Sequence, residues 1–170
     1  AVSDVYKRQI QYLLTVDANG HSSGIGGGYY DAGSTAYAYL ASTQVYDGDY
    51  TRYNFASWSG SGTGSYTGTA TTATVTMNGP ITQTANWQTQ YYLTVSGVYG
   101  STTGSGWYDS GAVANSGLTS GTVSGGAGPR SLFASWGAGG RNYAETSELT
   151  TTGQTTLKAS RRVQIYLNCL

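Results

Sequence analysis

The sequence repeats itself at a spacing of 78 or 79 residues, and this constrains the fold more than any other feature. Residues 11–16 (QYLLTV) return as QYYLTV from position 90. Two more segments return in the same order: 28–33 (GYYDAG) as GWYDSG from position 106, and 52–58 (RYNFASW) as RSLFASW from position 130. Three ordered matches at a near-constant spacing indicate two copies of one structural unit.

A third copy starts near the end of the sequence, because residues 164–167 (QIYL) match 90–93 (QYYL). We therefore expect a first β-repeat at 10–88, a second at 89–162, and the opening strand of a truncated third repeat at 163–170. That last strand should be unpaired or incompletely paired, since the rest of its repeat is missing.

The two ends of the sequence differ in composition from the repeats. Residues 1–9 contain the string DVYKRQ, which resembles the translation of a sequencing adaptor, so we expect a non-native leader and exclude it from the fold. The alternative is an exposed N-terminal strand. Residues 168–170 (NCL) stand where the second copy reads TVS, and whether Cys169 is native is left open.

Strand signals fill each copy. Residues 35–40 (TAYAYL) place Tyr37 and Tyr39 on one face, and 73–77 (ATVTM) alternate small polar with apolar side chains before the turn at 78–79 (NG). Threonine, tyrosine and valine favour strands, and helical apolar periodicity is lacking. The sequence predicts an all-β fold with five or six mostly antiparallel strands in each of two small domains.

The order of these motifs resembles the divergent InlB B-repeat family, a Listeria-Bacteroides type of surface repeat with similar arrays in archaeal surface proteins. The resemblance rests on 14–16 (LTV), 28–33 (GYYDAG), 55–60 (FASWSG) and 75–87, which runs from VTMNGP to TANW. It implies an extracellular, multi-copy β-module of adhesins, S-layer-like proteins or stalks. The second copy departs from the pattern: 151–154 (TTGQ) replace 77–80 (MNGP), and Arg161 stands where the first copy has Trp87.

Composition excludes several kinds of partner. Eight basic and eight acidic residues give zero net charge and a pI near 6.8, so a basic surface for nucleic acid is not expected. No apolar run is long enough for membrane insertion. One cysteine and one histidine cannot build a structural zinc site or an internal disulfide, and we expect no cofactor. Polarity based on serine and threonine favours an extracellular or cell-surface location.

Four aspartates are candidate site residues. Asp47 and Asp49 flank a glycine and form a weak calcium candidate, because calcium prefers carboxylate oxygens, but a plain loop is the alternative. Asp31 and Asp109 occupy matched positions in the two copies. Repetition at matched positions favours turn formation over ligand binding for both.

Aromatic residues supply the other candidates. We expect Phe55 and Trp58, with Phe133 and Trp136, to anchor the two cores, the alternative being sugar-stacking platforms for the tryptophans. Neighbouring residues on a strand point to opposite faces, so one member of each adjacent aromatic pair should face outward. This makes a candidate interaction surface of Tyr29, Tyr30, Tyr91, Tyr92, Trp107 and Tyr108.

No arrangement typical of catalysis is present in the sequence. His21 lies between glycine and serine and is expected to be a solvated loop residue, with no nucleophile motif nearby. We expect a non-enzymatic structural spacer whose partners are neighbouring repeats of the same chain. Two alternatives stay open: a module that binds a surface glycan or protein through exposed tyrosine and tryptophan, and a filament subunit that assembles by strand addition.

Overall fold

A computed structural model describes residues 8–97, 101–119, 122–124, 130–138, 141–143, 147–150 and 155–164. These residues form strands and turns without a helix, which confirms the all-β prediction. No membrane-spanning helix is found among them. Most of the leader (1–7) and the C-terminal residues from 165 onward, including Cys169, lie outside the described residues.

The described residues contain sixteen strands. In chain order they are β1 (Gln11–Asp17), β2 (Gly24–Ile25), β3 (Gly28–Asp31), β4 (Thr35–Leu40), β5 (Gln44–Asp47), β6 (Thr51–Ser61), β7 (Ala73–Thr76), β8 (Ile81–Gly97), β9 (Thr102–Thr103), β10 (Gly106–Asp109), β11 (Val113–Leu118), β12 (Thr122–Ser124), β13 (Arg130–Ala138), β14 (Arg141–Tyr143), β15 (Ser147–Thr150) and β16 (Thr155–Gln164). The number of strands exceeds the expected five or six per copy, because strands of two to four residues leave little periodic signal in the sequence.

The chain divides into two compact units. Unit 1 comprises Ala1–Val45 and Tyr53–Gln88, and unit 2 comprises Tyr46–Arg52 and Thr89–Leu170. The segment Tyr46–Arg52, which contains the turn between the paired strands β5 and β6, is called the hairpin tip below. By sequence it falls in the first copy, yet it belongs to unit 2.

Unit 1 is built around β1. This strand pairs with β3 in antiparallel register (Leu14 opposite Gly28) and with β8 in parallel register (Leu14 opposite Ile81). A second sheet places β4 between β2 and β7. Alternating residues of β4 face the core, so Tyr37 and Tyr39 share the exposed face. The buried core includes Leu14, Trp58, Val75, Met77 and Ile81.

Unit 2 repeats this arrangement with the later part of β8 in the place of β1. Leu93 lies opposite Gly106 of β10 in antiparallel register and opposite Thr155 of β16 in parallel register. Its buried cluster contains Leu93, Val95, Ala114 and Trp136. In each copy, therefore, the leucine of the LTV motif is buried on a strand that has one antiparallel and one parallel neighbour.

The residues that the sequence assigns to a third repeat continue an existing strand where they are described. Val163 and Gln164 form the end of β16, opposite Ser131 and Arg130 of β13. The remaining part of that segment, from 165, lies outside the described residues.

Matched glycines show how closely the two copies agree. Gly26 has a φ of 99° and Gly104 a φ of 97°, a left-handed conformation that disfavours side chains. A Cβ atom on Gly26 would collide with the backbone oxygen of Tyr37, and one on Gly104 with that of Asn115. Both pairs are related by the same offset of 78 positions. The same close backbone approach is thus built twice.

Candidate functional site

The adjacent tyrosines of β3 point in opposite directions. Tyr29 is 70% exposed, whereas Tyr30 packs against the core of unit 1. The hydroxyl of Tyr30 donates a hydrogen bond to the backbone oxygen of Gly26 over 2.8 Å. Only Tyr29 of this pair therefore offers a free ring face.

The matched pair of β10 has the same division of roles. Tyr108 packs against the core of unit 2, and its hydroxyl donates to the backbone oxygen of Gly104 over 2.9 Å. Trp107, at the position of Tyr29, is half-buried and lies opposite Tyr92 of β8. Tyr91 is half-buried as well and lies opposite Tyr108.

The repeated aspartates bond to repeated glutamines. Nε2 of Gln11 donates to Oδ1 of Asp31 over 2.8 Å, and Nε2 of Gln90 donates to Oδ1 of Asp109 over 2.7 Å. Each bond links two paired strands at the same register position. The carboxylates therefore stabilise strand pairing. The same two aspartates also begin the expected turns, since their backbone oxygens accept from the nitrogens of Ser34 and Ala112 over 3.0 and 2.9 Å.

Two aromatic rings of the hairpin tip contact Trp107 and Tyr92. The ring of Tyr46 meets Trp107 edge-on with centroids 5.8 Å apart, and Tyr50 lies 6.4 Å from Tyr92. Trp107 and Tyr92 are themselves in edge contact at 5.2 Å. Such pairs contribute about 0.5–1.5 kcal/mol each beyond the burial of area.

Arg52 gives this aromatic cluster a polar element. Its guanidinium carbon lies 4.5 Å from the ring centroid of Trp107, a distance suited to a cation–π interaction. Its Nε donates to Oε1 of Gln90 over 2.6 Å. The backbone nitrogen of Tyr92 also donates to the backbone oxygen of Tyr50 over 3.0 Å. The hairpin tip is thus held by ring contacts, by the cation–π interaction of Arg52 and by a backbone hydrogen bond.

A second aromatic cluster lies in unit 1 and includes the histidine. His21 stacks on Tyr53 with centroids 3.9 Å apart and meets the edge of Trp87 at 5.5 Å. The expectation of a solvated loop residue is wrong, because these ring contacts bury part of the imidazole. Nε1 of Trp87 donates to the backbone oxygen of Ala18 over 2.9 Å, so the cluster also fixes the loop before His21.

The expected core anchors differ in burial. Trp58 and Trp136 are fully buried, which leaves no ring face open for a sugar. Phe55 is only partly buried and packs against Trp58 and Trp87 with centroids 5.4 and 6.3 Å away. The side chain of Phe133 lies outside the described residues.

The calcium candidates lie in the hairpin tip. Asp47 and Asp49 are both exposed. In the described part of the chain, no three histidine, cysteine, aspartate or glutamate residues are close enough together to hold a metal ion. The geometry therefore offers Asp47 and Asp49 no third ligand of that kind within those ranges.

One buried glutamine was not among the candidate residues. Gln83 is fully buried on β8, where its Oε1 accepts from the backbone nitrogen of Tyr66 over 2.9 Å. Its Nε2 donates to the backbone oxygen of the same residue over 2.8 Å. One amide thereby satisfies both backbone groups of a loop residue, as a neighbouring strand would. Its position in the alternating pattern of residues 81–85 (ITQTA) was the available signal.

The contacts described for these groups hold strands and loops together. The neighbours found for His21 are aromatic rings, and the repeated aspartates accept hydrogen bonds from glutamine amides. Comparisons with protein-family models, with curated proteins and with solved structures find no match.

Proposed function

We propose that the chain is a non-enzymatic structural repeat of an extracellular or cell-surface protein, in which successive copies serve as a spacer. The copies would display or anchor other parts of the protein, with neighbouring repeats as their main partners. No cofactor is needed for such a role.

The observation that carries this proposal is that matched polar groups bond within each copy. Gln11 bonds to Asp31 as Gln90 bonds to Asp109, with distances of 2.8 and 2.7 Å. The hydroxyls of the half-buried Tyr30 and Tyr108 likewise donate to matched glycine oxygens, in both copies within 2.9 Å. A side-chain bond that recurs between the same two strands of each copy supports the fold, as a structural repeat requires.

Composition supports the proposed location. The chain has 9% charged residues and takes its polarity from serine, threonine and glycine. Its motif order resembles the InlB B-repeat family, and membership of that family is part of the proposal. Repeat proteins of this kind build long structures from units that contact their neighbours.

A second candidate function is binding through exposed tyrosines. Tyr29, Tyr37 and Tyr39 are all exposed on unit 1, and tyrosine rings are suited to contacts with glycans and proteins. Filament assembly by strand addition has less support, because Val163 and Gln164 already pair with β13.

An array of glycans and extracellular matrix proteins separates the first two candidates. The wild-type chain is compared with a triple variant carrying Tyr29→Ser, Tyr37→Ser and Tyr39→Ser, which changes exposed side chains only. The structural proposal expects no saturable retention of either protein and no cleavage of any glycan. Saturable retention that the triple variant loses would replace it with the binding function, and glycan cleavage would contradict a non-enzymatic role.

A further inference from the structure

One surface of unit 1 is matched in unit 2 by a surface that the chain itself covers. Leu13 lies opposite Tyr29 between β1 and β3, and Tyr92 lies opposite Trp107 between β8 and β10, at the same register positions. Leu13 is 41% exposed and Tyr29 is 70% exposed. The two equivalent residues of unit 2 are half-buried.

The hairpin tip accounts for this difference. Within unit 2, the rings of Tyr46 and Tyr50 lie against Trp107 and Tyr92, and the Arg52 guanidinium lies over Trp107. The tip thus binds the cross-strand pair of Trp107 and Tyr92 through its own two tyrosine rings and its arginine. A backbone hydrogen bond from Tyr92 to Tyr50 fixes its distance from β8.

The polar partner of the arginine is also present on unit 1. Oε1 of Gln90 accepts the bond from Arg52 while Nε2 of Gln90 donates to Asp109. Gln11 makes the matching bond to Asp31, so its side chain is held at the corresponding place beside Leu13 and Tyr29. The nearby carboxylate favours a cationic partner in both copies.

The repeat does not supply a second tip of the same chemistry in this sequence. Positions 124–130 correspond to the hairpin tip by the offset of 78, and they read SGGAGPR. The arginine is kept, but serine and glycine replace the two tyrosines. Within the sequence, the tip that combines both rings with the arginine is the one already engaged by unit 2.

We propose that Leu13 and Tyr29, with Gln11 beside them, form a docking surface for the hairpin tip of another repeat. The occupant is a β-hairpin turn carrying two tyrosines four residues apart and an arginine two residues later, as in Tyr46–Arg52. In an array, a repeat that carries such a tip would present it to the surface of the next repeat. This inference rests on the proposed structural function and specifies how repeats join.

The test uses a head-to-tail cyclised peptide of residues 44–54 (QVYDGDYTRYN), first shown by its own NMR spectrum to form a hairpin. It is titrated into the full-length chain, with binding followed through backbone amide shifts. The intramolecular tip benefits from a high local concentration, so the free peptide should bind weakly, with a dissociation constant of about 0.1–1 mM. The shifts should centre on Leu13 and Tyr29.

Three chain variants make the result specific. Tyr29→Ser should weaken binding at least about tenfold, since it removes the ring that the tip would contact. The double variant Leu13→Tyr with Tyr29→Trp copies the pair of unit 2 and should tighten binding several-fold. Tyr37→Ser, at another exposed tyrosine of unit 1, should leave binding unchanged.

Absence of saturable shifts, in the wild-type chain and in the double variant alike, would overturn the docking surface. So would shifts centred on Tyr92 and Trp107, which would mean that the peptide only displaces the chain's own tip. Equal loss with Tyr29→Ser and Tyr37→Ser would overturn it too. None of these outcomes bears on glycan retention or mechanical resistance, by which the spacer function itself is judged.

Discussion

Gln11 donates a hydrogen bond from Nε2 to Oδ1 of Asp31 over 2.8 Å, across the neighbouring strands β1 and β3. The equivalent residues of the second copy make the same bond over 2.7 Å. A sequence repeat with only partial identity therefore repeats the register of this strand pair and the side-chain bond across it. This recurrence is the basis on which the structural role is proposed.

Substitution of the matched glycines should destabilise each unit separately. Gly26→Ala and Gly104→Ala both place a Cβ against a backbone oxygen at a positive φ, so each should cost more than the roughly 1–3 kcal/mol of backbone strain alone. Hydrogen exchange should show faster opening of unit 1 in the first variant and of unit 2 in the second. Gly33→Ala is the control, because its φ is 80° but its Cβ would meet open space. An equal loss for Gly26→Ala and Gly33→Ala would contradict the close approach.

Truncation of the core aromatics of unit 1 should rank by burial. Trp58→Ala removes a fully buried side chain and should lower the free energy of unfolding by about 3–5 kcal/mol. Phe55→Ala should cost less, since Phe55 is only partly buried. Urea unfolding followed by tyrosine fluorescence measures both. A larger loss for Phe55→Ala would show that the packing order is wrong.

The indole of Trp87 should matter for its hydrogen bond as well as for its ring. Trp87→Phe keeps an aromatic side chain near His21 and Phe55 but removes the donor to the Ala18 oxygen. We expect a loss of about 0.5–1.5 kcal/mol in the free energy of unfolding. Faster amide exchange in residues 18–21 should accompany it. Unchanged stability and exchange would mean that this bond contributes nothing.

Replacement of the buried amide of Gln83 should make stability depend on pH. In Gln83→Glu, burial disfavours the carboxylate and raises its pKa in the folded state, while the protonated acid can still donate to the Tyr66 oxygen. The folded state then binds the proton more tightly, so stability is highest below the unfolded pKa of about 4.3 and falls as pH rises to the folded pKa. Gln83→Leu is the control and should be destabilised without this pH dependence. A flat profile for Gln83→Glu would contradict the burial.

The sequence predicts local structure well where one strand carries a clear alternation. The alternation in residues 35–40 predicts a strand with Tyr37 and Tyr39 on one face, and β4 has those bounds and that face. The stacking of His21 on Tyr53 could not be predicted, because it joins a glycine- and serine-rich loop to a distant strand. Periodicity describes which face a residue takes but not which loop covers it.

The hairpin tip shows the same limit at the level of units. The repeat offset assigns Tyr46–Arg52 to the first copy, whereas its rings and its arginine contact Trp107 and Tyr92 in unit 2. An offset compares copies position by position and carries no information about contacts from one copy to the next. The sequence therefore draws attention to the adjacent aromatic pairs, but it does not show that Tyr30 and Tyr108 pack inward or which rings contact Tyr92 and Trp107.

Mechanical unfolding of the single chain, held by its two ends, tests the spacer function most directly. A load-bearing spacer with two compact units should resist extension and then yield in two separate steps, each releasing on the order of 280 Å for about 80 residues. Gly26→Ala should lower the force of one step and Gly104→Ala that of the other. Smooth lengthening without any step at low force would contradict a structural role for these repeats.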